Sequence, residues 1–244
     1  MGWFQRILGT PGPDDSDTTP SGPRGSGGGT STAVPSASPE RTTSRIPEPG
    51  GSDGTAPLPS WMERSAPGIA ALLDGAVEGG EHTIVDLGTA ASSSLEVYRK
   101  YGPRIRFAEV RAAARSPEGW DAVIRALPPQ PGHPYDLVFA WDVFDRLYPQ
   151  EGPRLMEHIL AITAPGARLH AVVESSERAT TAPLRFALLG LDRVRYRPVG
   201  PERPARPPRL PAEVERLLHP FEVMRAFTLK GGLREYVAVR RDAS

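Results

Sequence analysis

His82–Gly102 reads HTIVDLGTAASSSLEVYRKYG. A short apolar run, Thr83–Leu87, leads into a turn of small residues, Gly88–Ser93. An amphipathic stretch, Ser94–Tyr101, follows. The order is strand, tight turn, helix. Such a turn presents unpaired backbone N–H groups at a helix start, and its small side chains let a ligand approach the backbone. The turn carries one glycine, Gly88, where nucleotide-type cradles carry two or three. The G-x-G-x-x-G pattern of dinucleotide dehydrogenases is absent.

Composition narrows the classes. The chain has 244 residues, zero formal net charge and no cysteine. A neutral balance provides no global field for nucleic acid. Without cysteine there are no disulfides, no thiol catalysis and no cysteine-ligated metal. No His pair has metal-ligand spacing, so no metal is expected. No apolar run approaches the roughly 18 residues of a membrane span, and the start lacks a signal-peptide core, so a cytoplasmic location is expected.

Met1–Gly9 (MGWFQRILG) places Trp3, Phe4, Ile7 and Leu8 at helical spacing, as a frayed end or as a docking peptide for a membrane or partner. Thr10–Ser60 is dominated by Gly, Pro, Ser and Thr and reads as a disordered tether. A folded domain is expected over 61–244. It opens with a helix from Pro67, whose apolar stripe is Ile69, Leu72, Leu73 and Ala76.

After the opening strand come Arg104–Val110, a charged edge-like strand, and a helix over Ser116–Leu127. Tyr135–Trp141 (YDLVFAW) is a buried central strand. A helix over Gly152–Thr163 leads to a further buried strand, Arg168–Glu174. Thr181–Leu191 is expected to be helical and Arg193–Val199 a strand. Residues 185–209 hold seven arginines against two acids, as a solvated insert or as a surface for an anionic partner. A helix over Leu210–Leu218 precedes two strands, Phe221–Lys230 and Leu233–Arg241, joined by Gly231–Gly232. The two glycines mark an antiparallel hairpin. The predicted fold is α/β: a Rossmann-like, mostly parallel sheet closed by that hairpin.

This order of modules resembles the class I S-adenosylmethionine-dependent methyltransferases from Trp61 to Arg241. IVDLG (Ile84–Gly88) is similar to the family's first cofactor motif. FAEV (Phe107–Val110) places Glu109 where the family keeps an acid for the ribose hydroxyls. DLVFAWDVFDRL (Asp136–Leu147) and LAITAPGARLHAVV (Leu160–Val173) resemble the fourth-strand motif and the module after it. Only 110–135 separates Glu109 from Asp136, so the family's third strand, its sheet edge, is expected to be missing. The family's adenine contact follows that strand; Asp121 is a substitute or a surface acid.

The resemblance implies S-adenosylmethionine as cofactor, held by Asp86, Gly88, Ser92, Glu109 and Asp142. Ala90 and Ser92 stand where the family has glycines, and Ser92–Ser94 offer hydroxyl donors instead. Asp142 and Glu174, at the ends of consecutive strands, are the candidate catalytic carboxylates. Asp142 reads equally as a helix N-cap. Asp145 and Tyr148 follow on the next loop or helix. His170 reads as a hydrogen-bonded core residue, while His158 lies on a helix and His219 precedes Pro220. DLGTAAS also resembles the phosphate loop of actin-like ATPases, but SSLEVYRKYG is helical where that fold has a second hairpin strand. Two functions stay open. One is a divergent methyltransferase acting on a small molecule or an unidentified protein acceptor. The other is a catalytically inactive methyltransferase-like binding or regulatory module.

Overall fold

The computed structural model describes residues 60–113, 118–129, 132–177, 179, 182–202 and 207–241. The readings of Met1–Gly9 and of the tether up to residue 59 lie outside the described residues.

The described residues form two sheets. The larger has six strands: β2 (Thr83–Asp86), β3 (Arg104–Phe107), β4 (Tyr135–Trp141), β5 (Thr163–Glu174), β8 (Phe221–Thr228) and β9 (Leu233–Arg240). Their order across the sheet is β3-β2-β4-β5-β9-β8. The first four run parallel, and β9 and β8 are antiparallel. Among the described residues no strand lies outside β3, as expected from the short stretch between Glu109 and Asp136.

Alternation along β4 explains why this sheet is covered on both faces. Val138 and Ala140 turn to one core, where α3 (Val110–Ala113), α4 (Trp120–Ala126), α5 (Val143–Arg146), α6 (Glu151–Ile162) and α7 (Pro211–Leu218) gather. Leu137, Phe139 and Trp141 turn to the other core, under α1 (Pro67–Leu73) and α2 (Ser92–Tyr98). The helices follow local rules. α1 and α7 each begin with proline in the first turn, where no amide donor is required. In α7 the Glu213 carboxylate also accepts the Leu210 N–H at 2.8 Å. α6 buries Leu155, Met156, Ile159 and Ile162 along one stripe.

The second sheet corrects the sequence reading. Thr181–Leu191 is not a helix: Leu184–Leu188 is a strand, β6. It pairs antiparallel with β7 (Arg193–Pro198), which pairs with β1 (Met62–Ser65). Leucine and alanine favour helix, but LRFAL alternates. Leu184, Phe186 and Leu188 are buried in the second core and Arg185 faces away. Pairing with RVRYRP, whose Val194 also turns inward, satisfies both the backbone and this period of two. The small sheet therefore lies over the second core, beside the Gly88 turn.

Candidate functional site

The carboxyl ends of β2 and β4 meet at Asp86, Gly88 and Trp141. Asp86 is 2% exposed and its carboxylate is fully engaged. Oδ1 accepts the Gly88 N–H at 2.7 Å and the Trp141 indole N–H at 2.6 Å. Oδ2 accepts the Tyr98 hydroxyl at 2.7 Å. Burial pushes the Asp86 pKa up to about 6 against these three donors.

Trp141 reaches this position through an irregular backbone. It has φ of 50°, in the left-handed region that bulky residues avoid, and the β4–β5 register shifts between Phe139 and Trp141. The turn lays the indole over Gly88. A Cβ on Gly88 would lie 2.9 Å from both Trp141 Cδ1 and Asp86 Oδ1. Phe186 of β6 stacks on the indole, with ring centres 5.0 Å apart and planes 7° apart. The space left among Gly88, Trp141, Asp142 and Phe186 is about 10 Å³, close to the size of one water.

β6 is tied along the turn at three points. The Leu184 N–H donates to Asp142 Oδ2 at 3.1 Å, Arg185 Nη2 to Ala90 O at 3.2 Å, and the Leu188 N–H to Ser94 Oγ at 2.9 Å. Two of these partners lie in the serine-rich turn and helix start that follow Gly88. Ser92 begins α2 and is exposed. Glu109 is exposed, with φ of 43°, and its N–H donates to Gly88 O at 3.2 Å. Asp86, Gly88 and Glu109 are thus brought together at the turn.

Asp142 and Glu174 are joined through an arginine. Asp142 Oδ2 accepts Arg146 Nε at 3.0 Å, and Glu174 Oε1 accepts Arg146 Nη2 at 2.7 Å. The Arg146 side chain is 2% exposed. Asp142 stands at the N-cap position of α5, but its side chain makes no capping bond. Asp145 accepts the Glu174 N–H at 2.6 Å and faces Arg209 Nε at 3.3 Å. Burial, reinforced by the Glu174 charge, pushes Asp145 up to about 7. Beyond it opens a cleft of about 1000 Å³ whose lining includes Asp145, Glu174, Arg209, Glu213 and Arg216. Tyr148 is exposed.

His170 is fully buried in β5, with Nε2 3.5 Å from Glu235 Oε1. Glu235 Oε2 accepts the Gly68 N–H at 2.6 Å. Burial pushes Glu235 up, but His170, the Gly68 amide and Arg64 together hold it below the usual carboxylate range. The expected hydrogen-bonded core histidine is therefore a core histidine facing a buried carboxylate. His158 Nε2 lies 3.1 Å from Pro128 O. Among the described residues no group of three His, Asp or Glu side chains can hold a metal ion.

Trp141, Tyr98, Phe186 and Arg146 are the site residues missed by sequence reasoning. The one available signal was a tryptophan closing a strand motif directly before Asp142.

No protein-family model matches the chain, and no curated protein matches it. Solved structures do. An S-adenosylmethionine-dependent methyltransferase from Mesorhizobium loti is 13% identical, with 71% of this chain and 96% of that chain covered and a TM-score of 0.44. The Burkholderia thailandensis 1,6-didemethyltoxoflavin-N1-methyltransferase, solved with 1,6-didemethyltoxoflavin and S-adenosylhomocysteine, is 16% identical, covering 72% and 77%, with a TM-score of 0.44. Magnesium protoporphyrin IX methyltransferase from Synechocystis PCC 6803 is 17% identical, covering 70% and 76%, with a TM-score of 0.39. The strand order, with parallel strands followed by the β9–β8 hairpin, is the α/β arrangement expected from the sequence. Likeness at these levels says nothing of activity.

Proposed function

We propose that this domain is a methyltransferase-like binding module that does not use its cofactor cradle. One observation carries the reading: the space beside Gly88 is filled by Trp141 and Phe186, and Asp86 is spent on holding Trp141. About 10 Å³ remains, whereas small-molecule sites run to roughly 300 Å³ or more. S-adenosylmethionine does not fit there. Asp142 and Glu174 share a buried arginine, which suits a structural strut between β4, β5 and β6 better than an acid–base pair.

Titration calorimetry with S-adenosylmethionine and with S-adenosylhomocysteine, each at millimolar concentration, tests this. No heat is expected from either. Saturable binding of either ligand overturns it.

The rival reading, a divergent methyltransferase acting on a small molecule, draws on Glu109, exposed beside the Gly88 turn as a ribose acid would be. It requires β6 to leave the turn. Its signature is cofactor binding that Glu109→Ala abolishes.

A further inference from the structure

We propose that the outer face of the β6–β7 hairpin docks on anionic lipid headgroups at a membrane surface. This does not rest on the reading of the cradle.

The alternation that buries Phe186, Leu188 and Val194 places Arg185, Arg193, Arg195 and Arg197 together on the opposite face. The register sets Arg185 directly across from Arg197. Like charges in that position repel, and a bound anion relieves the repulsion. The guanidinium carbons of Arg195 and Arg197 lie 4.7 and 4.9 Å from the centre of the Trp61 ring. Their Nε atoms, and that of Arg185, are buried without a hydrogen-bond partner. The stems are thus packed flat; Arg185 is tied to Ala90 O and Arg193 to Glu63, so the charged ends left for a ligand are those of Arg195 and Arg197. One acid on this face, Glu63, is engaged by Arg193.

Two exposed leucines at the end of the same hairpin point to lipid. Leu189 and Leu191 are 37% and 42% exposed. The Leu189 N–H donates to Arg193 O at 3.0 Å, so Leu189 shares the arginine face. Asp192, between Leu191 and Arg193, is the acid at this end. Apolar tips beside a row of arginines match a surface that is anionic outside and apolar beneath. A nucleic acid has no use for the leucines, and the Trp61 ring, covered by guanidinium groups, is not free to stack on bases. The sequence supplies a second apolar contact of the same kind in Trp3, Phe4, Ile7 and Leu8, at helical spacing.

Flotation of the full-length chain with vesicles tests the proposal. Binding is expected with phosphatidylcholine vesicles that contain phosphatidylserine, not with phosphatidylcholine alone, and it should fall as salt rises. Each arginine near the surface contributes about fivefold, so R195Q/R197Q should weaken binding by about 25-fold. L189S/L191S, which leaves the charges intact, should weaken it too; circular dichroism and Tm establish that both variants fold. Four results with vesicles overturn the proposal. They are no binding to anionic vesicles, equal binding to neutral ones, binding indifferent to both variants, and loss only on deletion of Met1–Gly9. Tighter, arginine-dependent capture by single-stranded RNA or polyglutamate than by vesicles also overturns it.

Discussion

The indole N–H of Trp141 donates to Asp86 Oδ1 at 2.6 Å, closing the space above Gly88 with a side chain of the neighbouring strand. The pair predicts an asymmetry between two substitutions. Asp86→Ala strands the Trp141 and Gly88 donors in a buried site, at about 1–3 kcal/mol each. Asp86→Asn retains an acceptor for both, and its amide can donate to the Tyr98 hydroxyl. Urea denaturation at neutral pH should find the alanine variant destabilised by at least about 2 kcal/mol and the asparagine variant near wild type. Equal losses would show that the donors are not held by this carboxylate.

Asp86 and Asp145 also set a pH dependence. Their folded pKa values, about 6 and about 7, lie above the ordinary value of 3.8. Between the ordinary and folded values the folded state binds more protons than the unfolded chain, so stability rises as pH falls. The slope approaches about 1.4 kcal/mol per pH unit for each group in its window. Glu235 works the other way: its folded pKa is lowered, so its contribution is lost only in acid, below its unfolded value. The urea midpoint should therefore rise from pH 7 to pH 5. Asp145→Asn should lower the slope across the whole range, and Asp86→Asn only its lower part, below the Asp86 value of about 6. A midpoint that falls over this range would contradict the burial of both carboxylates.

Much of the larger sheet was legible because its strands are continuous apolar runs bounded by proline and glycine, as in YDLVFAW and the Gly231–Gly232 turn. The missing edge strand was legible from the short spacing between Glu109 and Asp136 set against the family that the motifs resemble. The small sheet was legible only in β7, expected as a strand over Arg193–Val199. LRFAL is built from residues that favour helix and becomes a strand by pairing with β7, while β1, which completes the sheet on the other side of β7, lies far away in sequence. The place of Asp86, Gly88 and Glu109 in the motif was likewise readable, but its occupation was not. Whether Trp141 points along β4 or back over the turn depends on its left-handed backbone, which no periodicity encodes.

Glycine substitutions separate fixed from yielding neighbours. At Gly88 a methyl would meet Asp86 Oδ1 and Trp141 Cδ1 at 2.9 Å, and both are locked in hydrogen bonds. At Gly75 it would meet the Arg168 guanidinium, the far end of a flexible side chain. Gly88→Ala should cost about 1–3 kcal/mol by overpacking. Gly75→Ala should stay within about 1 kcal/mol of wild type. Thermal denaturation of the two variants side by side checks this, and a Gly88→Ala protein as stable as wild type would mean that the indole does not rest on the turn.

Arg146 holds Asp142 and Glu174 with a side chain that is 2% exposed. Arg146→Met leaves two carboxylates without their shared cation and should cost about 3–5 kcal/mol. Neutralising them in the triple variant R146M/D142N/E174Q removes the uncompensated charge and should recover a large part of that loss. The comparison is made by urea denaturation. A triple variant no more stable than Arg146→Met would place the cost in lost packing instead.

Trp141→Ala gives the most direct view of the filled cradle. The deletion removes an indole packed between Gly88, His170 and Phe186 and should destabilise by about 3–5 kcal/mol. The hole it leaves has an apolar wall in Phe186 and an acceptor at its base in Asp86. Indole added from solution can refill it, stacking on Phe186 and donating its N–H to the carboxylate. A ligand that binds only the folded state raises stability in proportion to the logarithm of its concentration over Kd. The Tm of Trp141→Ala should therefore climb with indole concentration while wild type does not respond. Naphthalene, which fills similar space without a donor, should rescue less. The double variant W141A/D86A should lose the difference between the two compounds, because the acceptor that distinguishes them is gone. If indole and naphthalene rescue Trp141→Ala equally, the Asp86 bond contributes nothing beyond the filling of space.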